Sequence, residues 1–263
     1  MTEALSTVVA GLAEPGQFLA FCDETDLTEK PTSTMLGDIH LHAAVVVPSD
    51  GYAAFASALA TALATFGVSE FHAVDIVNNG KKSVWRHREK ADRIAALQTI
   101  CDALCASEGH IYYVHIPKEQ HEALLTQWPN TDLDLDHKVA VKTRFRELIA
   151  ELLDTETPAA VIADKEKNKP GLGLVTVDGG SHLLGGGIIL AHSHEVLGLQ
   201  LADAAAYVIG RYIRRRDGIV ATVEEAGEDA LDDFDKLVAE TVGRLEGRLH
   251  SLLSQPALHC LAA

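Results

Sequence analysis

Short apolar runs that stop on acids or turn residues alternate along the chain with longer segments whose apolar positions recur at helical spacing. Phe18–Cys22 (FLAFC) is an apolar run that leads straight into Asp23-Glu24, and a polar stretch, Thr25–Asp38, follows it. His40–Val47 (HLHAAVVV) is β-branched and ends at Pro48-Ser49-Asp50. Two strands joined by such a loop pair antiparallel. Ser49 or Asp50 can cap a helix over Tyr52–Phe66, which Gly67 ends. Glu70–Val77 (EFHAVDIV) reads as a short extended segment. Ile94, Leu97, Ile100, Cys101 and Leu104 mark a helix from about Arg86 to Ser107, stopped by Gly109.

His110–Ile116 reads as a strand closed by Pro117. A short helix over Lys118–Gln127 and a longer one over Asp132–Leu153 follow. Ala159–Ala163 (AAVIA) is a buried-strand pattern ending on Asp164. Leu174–Val177 and Ile188–Ala191 are further strands, and the glycines of Gly179–Gly187 read as a hairpin or loop. Leu197–Arg214 is a helix, and Val223–Leu253 reads as helical and acidic. This order predicts an α/β fold: a mixed sheet, opened by a hairpin, with helices on both faces. It divides into a domain over residues 1–216 and an acidic helical extension over 217–263, packed on the same domain. Neither a GxGxxG nor a P-loop follows any strand, so a nucleotide-cofactor reading lacks its motif.

Charge changes the picture. In 263 residues, 22 Lys plus Arg stand against 38 Asp plus Glu, a net charge of −16. A simple cationic sleeve for nucleic acid is thereby excluded. The charge is uneven, however: Asp217–Glu240 holds nine acids and Lys236 as its one base, half of the total. The acidity thus argues against tight non-specific nucleic-acid binding, not against a nucleic-acid substrate. It also marks the C-terminal helices as a surface for a protein partner or a second subunit. There are two basic clusters, Lys81–Lys90 and Arg211–Arg216, and the second, continuing from the Asp203 helix, could guide a phosphate backbone or be a solvated helix end. Glu3 and a short N-terminal apolar run predict no signal peptide. No stretch reaches the roughly 20 apolar residues of a membrane span. Cys22, Cys101, Cys105 and Cys260 form no CxxC pair, which suits reduced thiols in a cytoplasmic protein.

Four acids stand where chemistry is usually placed. Asp23 and Asp164 end apolar strands, Glu70 precedes EFHAVDI, and Asp203 lies on an otherwise apolar helix. If the two strands are neighbours, Asp23 and Asp164 converge at one sheet edge. Clustered carboxylates repel unless a cation or protons neutralise them, and hard oxygens are the ligands of Mg²⁺ or Mn²⁺. Gln200, Asp203, Tyr207 and Arg211 form one polar line on their helix, so Asp203 could equally pair with Arg211. Among the 13 His, His40 and His42 share a strand face and His192-Ser193-His194-Glu195 is compact. There is no HExxH and no spaced Cys/His set, so zinc is not predicted.

Cys22-Asp23-Glu24, Glu70-Phe71-His72 with Asp75, Ile162-Ala163-Asp164-Lys165, and Leu199-Gln200-Leu201-Ala202-Asp203 with Ala206-Tyr207 together resemble the motif set of the DUF3800 family of prokaryotic proteins. The order and spacing agree over about Phe18–Arg214; Thr25 departs from the family's usual Ser, and the tail has no part in the motifs. The resemblance implies an RNase H-like fold, with Asp23, Glu70, Asp164 and Asp203 as ligands of one or two Mg²⁺ or Mn²⁺ ions. His72 would carry protons at the same cleft. Glu24, Lys165, Gln200 and Arg211 would contact substrate. The expected activity is metal-dependent phosphodiester hydrolysis, foremost by a nuclease on nucleic acid or a nucleotide. The alternatives are a hydrolase of small nucleotides or other phosphoesters, and a non-catalytic RNase H-like interaction module.

Overall fold

The computed structural model describes residues 16–27, 38–117, 122, 137–153, 159–165, 173–176 and 183–252. Its strands are β1 (Phe18–Leu27), β2 (Ile39–Pro48), β3 (His110–His115), β4 (Ala159–Asp164), β5 (Gly173–Thr176), β6 (Leu183–Ala191) and β7 (Leu249–Ser251). Its helices are α1 (Ser49–Phe66), α2 (Ala73–Asn78), α3 (Lys90–Ala106), α4 (His137–Leu152), α5 (Leu197–Ala226) and α6 (Asp233–Leu245). Single 3₁₀ turns at Glu228–Ala230 and Glu246–Arg248 flank α6. The expected helix over Lys118–Gln127 falls almost wholly outside the described residues.

The strands form one sheet in the order β5-β6-β4-β1-β2-β3-β7. β1 pairs antiparallel with β2, and β2 antiparallel with β3, the expected hairpin carried one strand further. β4 runs parallel to β1 and β6 parallel to β4. A meander of three strands followed by two parallel ones, in the order 3-2-1-4-6 with only β2 reversed, is the RNase H-like α/β arrangement.

Strand alternation divides the interior into two cores. Leu19, Phe21, Ile39, Leu41, Ala43 and Val45 face α1, α2, α3, α5 and α6. Ala20, Cys22, Ala44 and Val46 face Val141, Phe145, Leu148 and Ile149 of α4. The first half of α5 is buried at every residue from Leu197 to Gly210, as expected of a helix apolar on nearly all sides. It lies close on β1: a Cβ on Gly198 would stand 2.4 Å from the Phe21 ring.

Several expectations are corrected. EFHAVDIV is extended only to His72 and then forms α2, because the Ala73 N–H is held by a carboxylate and Asn79 (φ 51°) ends the turn. Neither Ser49 nor Asp50 caps α1, since both lie within its first turn behind Pro48; Gly67 (φ 62°) does end it. Gly185–Gly187 belong to β6, where the pairing with β4 shifts register between Ala159↔Leu183 and Val161↔Ile188. Gly187 passes so close to Val175 that a Cβ would lie 2.3 Å from its carbonyl oxygen, which is why that residue has none. The C-terminal segment is not wholly helical: β7 adds an edge strand beside β3. Residue 216 falls inside the continuous α5, so the helix crosses the expected boundary.

Candidate active site

Cys22 of β1 pairs with Ala163 of β4, so Asp23 and Asp164 leave adjacent parallel strands side by side. Strand parity turns both towards the core that holds α5. There Asp203, 4 % exposed, projects from α5. Its Oδ2 accepts the Ala73 N–H at 2.7 Å, and its Oδ1 lies 3.7 Å from His72 Nε2. The partner of Asp203 is therefore the His72 segment, not Arg211.

Glu70 is brought in through Ser193, a residue the sequence reading did not select. The Ser193 hydroxyl donates to Glu70 Oε1, and its N–H donates to Asp164 Oδ1 at 3.2 Å. Gln200 then locks the arrangement. Its Oε1 accepts the Phe71 N–H at 3.0 Å, and its Nε2 donates to the Ser193 carbonyl at 3.1 Å. Gln200 is fully buried, with both ends of its amide spent on backbone. The one signal for Ser193 was its place, two residues beyond β6 and just ahead of α5.

The electrostatics follow from burial. The Asp23 carboxyl is raised well above its ordinary range, first by burial and then by Asp203 and Asp164; the Glu24 N–H, 2.7 Å from its Oδ1, pulls the other way. Burial also raises Asp164, with Glu70 adding to it, while the Lys165 and Ser193 N–H groups and His192 oppose the shift. Asp203 is pushed up to about 6, mainly by burial, against the pull of His72 and the Ala73 N–H. Such a set takes up protons or a cation. All the donors are hard carboxylate oxygens, the chemistry that suits Mg²⁺ or Mn²⁺ and not softer metals.

The remaining expected residues make other contacts. Glu24 turns to the α4 face, where it meets His42 at 3.2 Å and Lys142 at 3.5 Å. Lys165 is buried just beyond β4, its N–H on the Ala191 carbonyl. Arg211 stands two turns along α5 from Asp203 and is engaged at 2.9 Å by Asp235 and at 3.2 Å by the Tyr207 hydroxyl. It does not reach the acids. Lys142 and Arg146 of α4 do line the cavity beside Asp23 and Asp164, and sequence reasoning missed both. No three of the four acids bring oxygens within 4.8 Å of one another; among the described residues that spacing is met by Glu24, His40 and His42.

No family model matches the chain, and no curated protein matches it either. Among solved structures it is similar to RNase H3 of Aquifex aeolicus, at 17% identity and a TM-score of 0.38, over 84% of this chain and 66% of that one. It is also similar to a mutant of Bst-RNase HIII, at 11% identity and a TM-score of 0.39, over 89% of this chain and 73% of that one. The chain thus spans just under two thirds of the first neighbour's length.

Proposed function

We propose that this chain is a divalent-metal-dependent phosphodiester hydrolase, a nuclease, of the kind its resemblance to the DUF3800 family implies. The observation that carries the reading is the convergence of Asp23, Glu70, Asp164 and Asp203, which lie 180 residues apart in sequence at the extremes, where parallel β1 and β4 face the start of α5. Four partly desolvated carboxylates cost the fold stability and bring it no apolar packing, so a functional use is the economical account of them. Asp23, Glu70, Asp164 and Asp203 would hold one or two Mg²⁺ or Mn²⁺ ions. Such ions supply an activated water and stabilisation of the phosphoryl charge.

The rest of the chemistry belongs to the chain itself. Ser193 and Gln200 hold Glu70 and Asp164 in place through the contacts given above. His72 is part-exposed beside Asp203 and also lies 3.8 Å from Asp75, so it is placed to pass a proton between the site and solvent. Lys142 and Arg146 offer positive charge to a phosphate entering the cavity.

The test is cleavage of a panel of mononucleotides, cyclic nucleotides, single strands and duplexes with Mg²⁺ or Mn²⁺. Cleavage should depend on the metal and be abolished in Asp23→Asn and in Asp203→Asn. Undiminished cleavage in both variants removes the site assignment. Cleavage confined to mononucleotides would make the enzyme a small-phosphoester hydrolase.

A further inference from the structure

On the sheet face opposite α5, β1 and β2 assemble a second set of ligand-type side chains. Glu24 is paired across the strands with His42, and Asp26 with His40. His40 Nε2 lies 3.1 Å from His42 Nε2, and His42 Nε2 lies 3.2 Å from Glu24 Oε2. Ligand atoms about 2.0–2.1 Å from a tetrahedral ion stand about 3.3 Å apart, so both spacings are close to edges of that polyhedron.

The rings are held in place. Each imidazole is 5 % exposed, and His42 stacks on Phe145 with centroids 5.4 Å apart. His40 Nδ1 lies 2.6 Å from Asp26 Oδ1, and Asp26 is held in turn by Lys138. A carboxylate on Nδ1 places the proton there and turns the Nε2 lone pair inward, the arrangement that orients metal-ligating histidines. The inward atoms are then His40 Nε2, His42 Nε2 and Glu24 Oε2, with the Lys142 ammonium 3.5 Å from the Glu24 oxygen. One cation satisfies all three.

We propose that Glu24, His40 and His42 form a binding site for a transition-metal ion of the Zn²⁺ type, with Asp26 as the positioning residue of His40. Two imidazoles and one carboxylate favour zinc over magnesium, and three protein ligands leave a fourth position open. Glu24 and His42 also line the cavity that Asp23, Asp164, Lys142 and Arg146 share, so an exogenous oxygen can reach that position. The site stands independently of the four-carboxylate reading, because it uses other residues on the other face.

The test is titration of the tag-free full chain with Zn²⁺ against a chromophoric chelator, in excess Mg²⁺, together with Co²⁺ absorption as a signature of tetrahedral N/O ligation. One tight equivalent and a visible Co²⁺ band are expected. Asp26→Asn should weaken zinc binding about 10-fold or more. Glu24→Gln, at an exposed position that the fold does not depend on, should weaken it further, and His42→Gln further still. Asp203→Asn should leave it unchanged. Absence of the tight equivalent overturns the proposal, as does wild-type affinity in Glu24→Gln. Loss in Asp203→Asn with retention in Glu24→Gln would place zinc on the carboxylates and overturn it equally.

Discussion

Asp203 shows what a buried carboxylate costs at the scale of a single residue. Burial moves it to about 6 from an ordinary 3.8, so between these values the folded protein retains a proton that the unfolded chain has released. The contribution of this group to the stability of the metal-free protein is therefore fully present below about pH 4 and is lost as pH rises to about 6, by an amount on the order of 3 kcal/mol. Asp203→Asn keeps an oxygen for the Ala73 N–H and removes the charge. Thermal unfolding without metal should show the variant more stable than the wild type at pH 7.5 and equal to it near pH 4, while its cleavage activity is gone. Other groups, buried His42 among them, titrate in the same window, so the wild type is read against the variant: a wild-type stability that does not fall relative to that of Asp203→Asn between pH 4 and 7.5 would contradict this assignment. Ser193 makes a related point: it touches two of the acids, yet as a serine beside two histidines its role was not legible from the sequence.

At the scale of elements, α5 and its seating on β1 decide where Asp203 stands. The Gly198 backbone lies against the Phe21 ring, so Gly198→Ala must push the helix away or displace the ring, at a cost of about 1–3 kcal/mol. Because the helix start moves, kcat should fall more than KM changes; an unaffected kcat would show that the seating does not set the site. The same helix carries Arg211 and Arg215, which bind Asp235 of α6 at 2.9 and 3.1 Å, with Asp235 3 % exposed. Removing that carboxylate leaves two guanidinium groups uncompensated, and Asp235→Ala should cost about 3–5 kcal/mol in urea unfolding.

Element types and order were largely legible here, because apolar runs leading into Asp23, Pro48 and Asp164 and the helical period of Ile94–Leu104 are local signals. What was not legible depends on partners remote in sequence. α2 forms where Asp203, 130 residues away, holds the Ala73 N–H, and β1 continues through polar Thr25–Leu27 because β2 pairs with it. Glu24 was grouped with Asp23 as its neighbour, yet adjacent strand residues face opposite ways, and its histidine partners lie on another strand.

At the scale of the whole molecule, the net charge of −16 has a structural reading. Part of the acidic C-terminal segment faces the basic clusters of the core: Asp232 and Asp233 meet Lys90, and Asp235 meets Arg211 and Arg215. The cations that looked like a phosphate guide are thus in part structural. The segment also buries Phe234, Leu237, Val238 and Leu245 in the core shared with α5, and adds β7 to the sheet. A chain cut after residue 216 should therefore not fold to a soluble domain. Cooperative unfolding of such a fragment, with the wild-type circular dichroism spectrum, would show the segment to be a separable appendage. The carboxylate cluster remains the claim on which the functional account rests. Anomalous diffraction from Mn²⁺-soaked crystals tests it most directly. The account predicts one or two peaks among Asp23, Glu70, Asp164 and Asp203, and a cluster without any peak would contradict it.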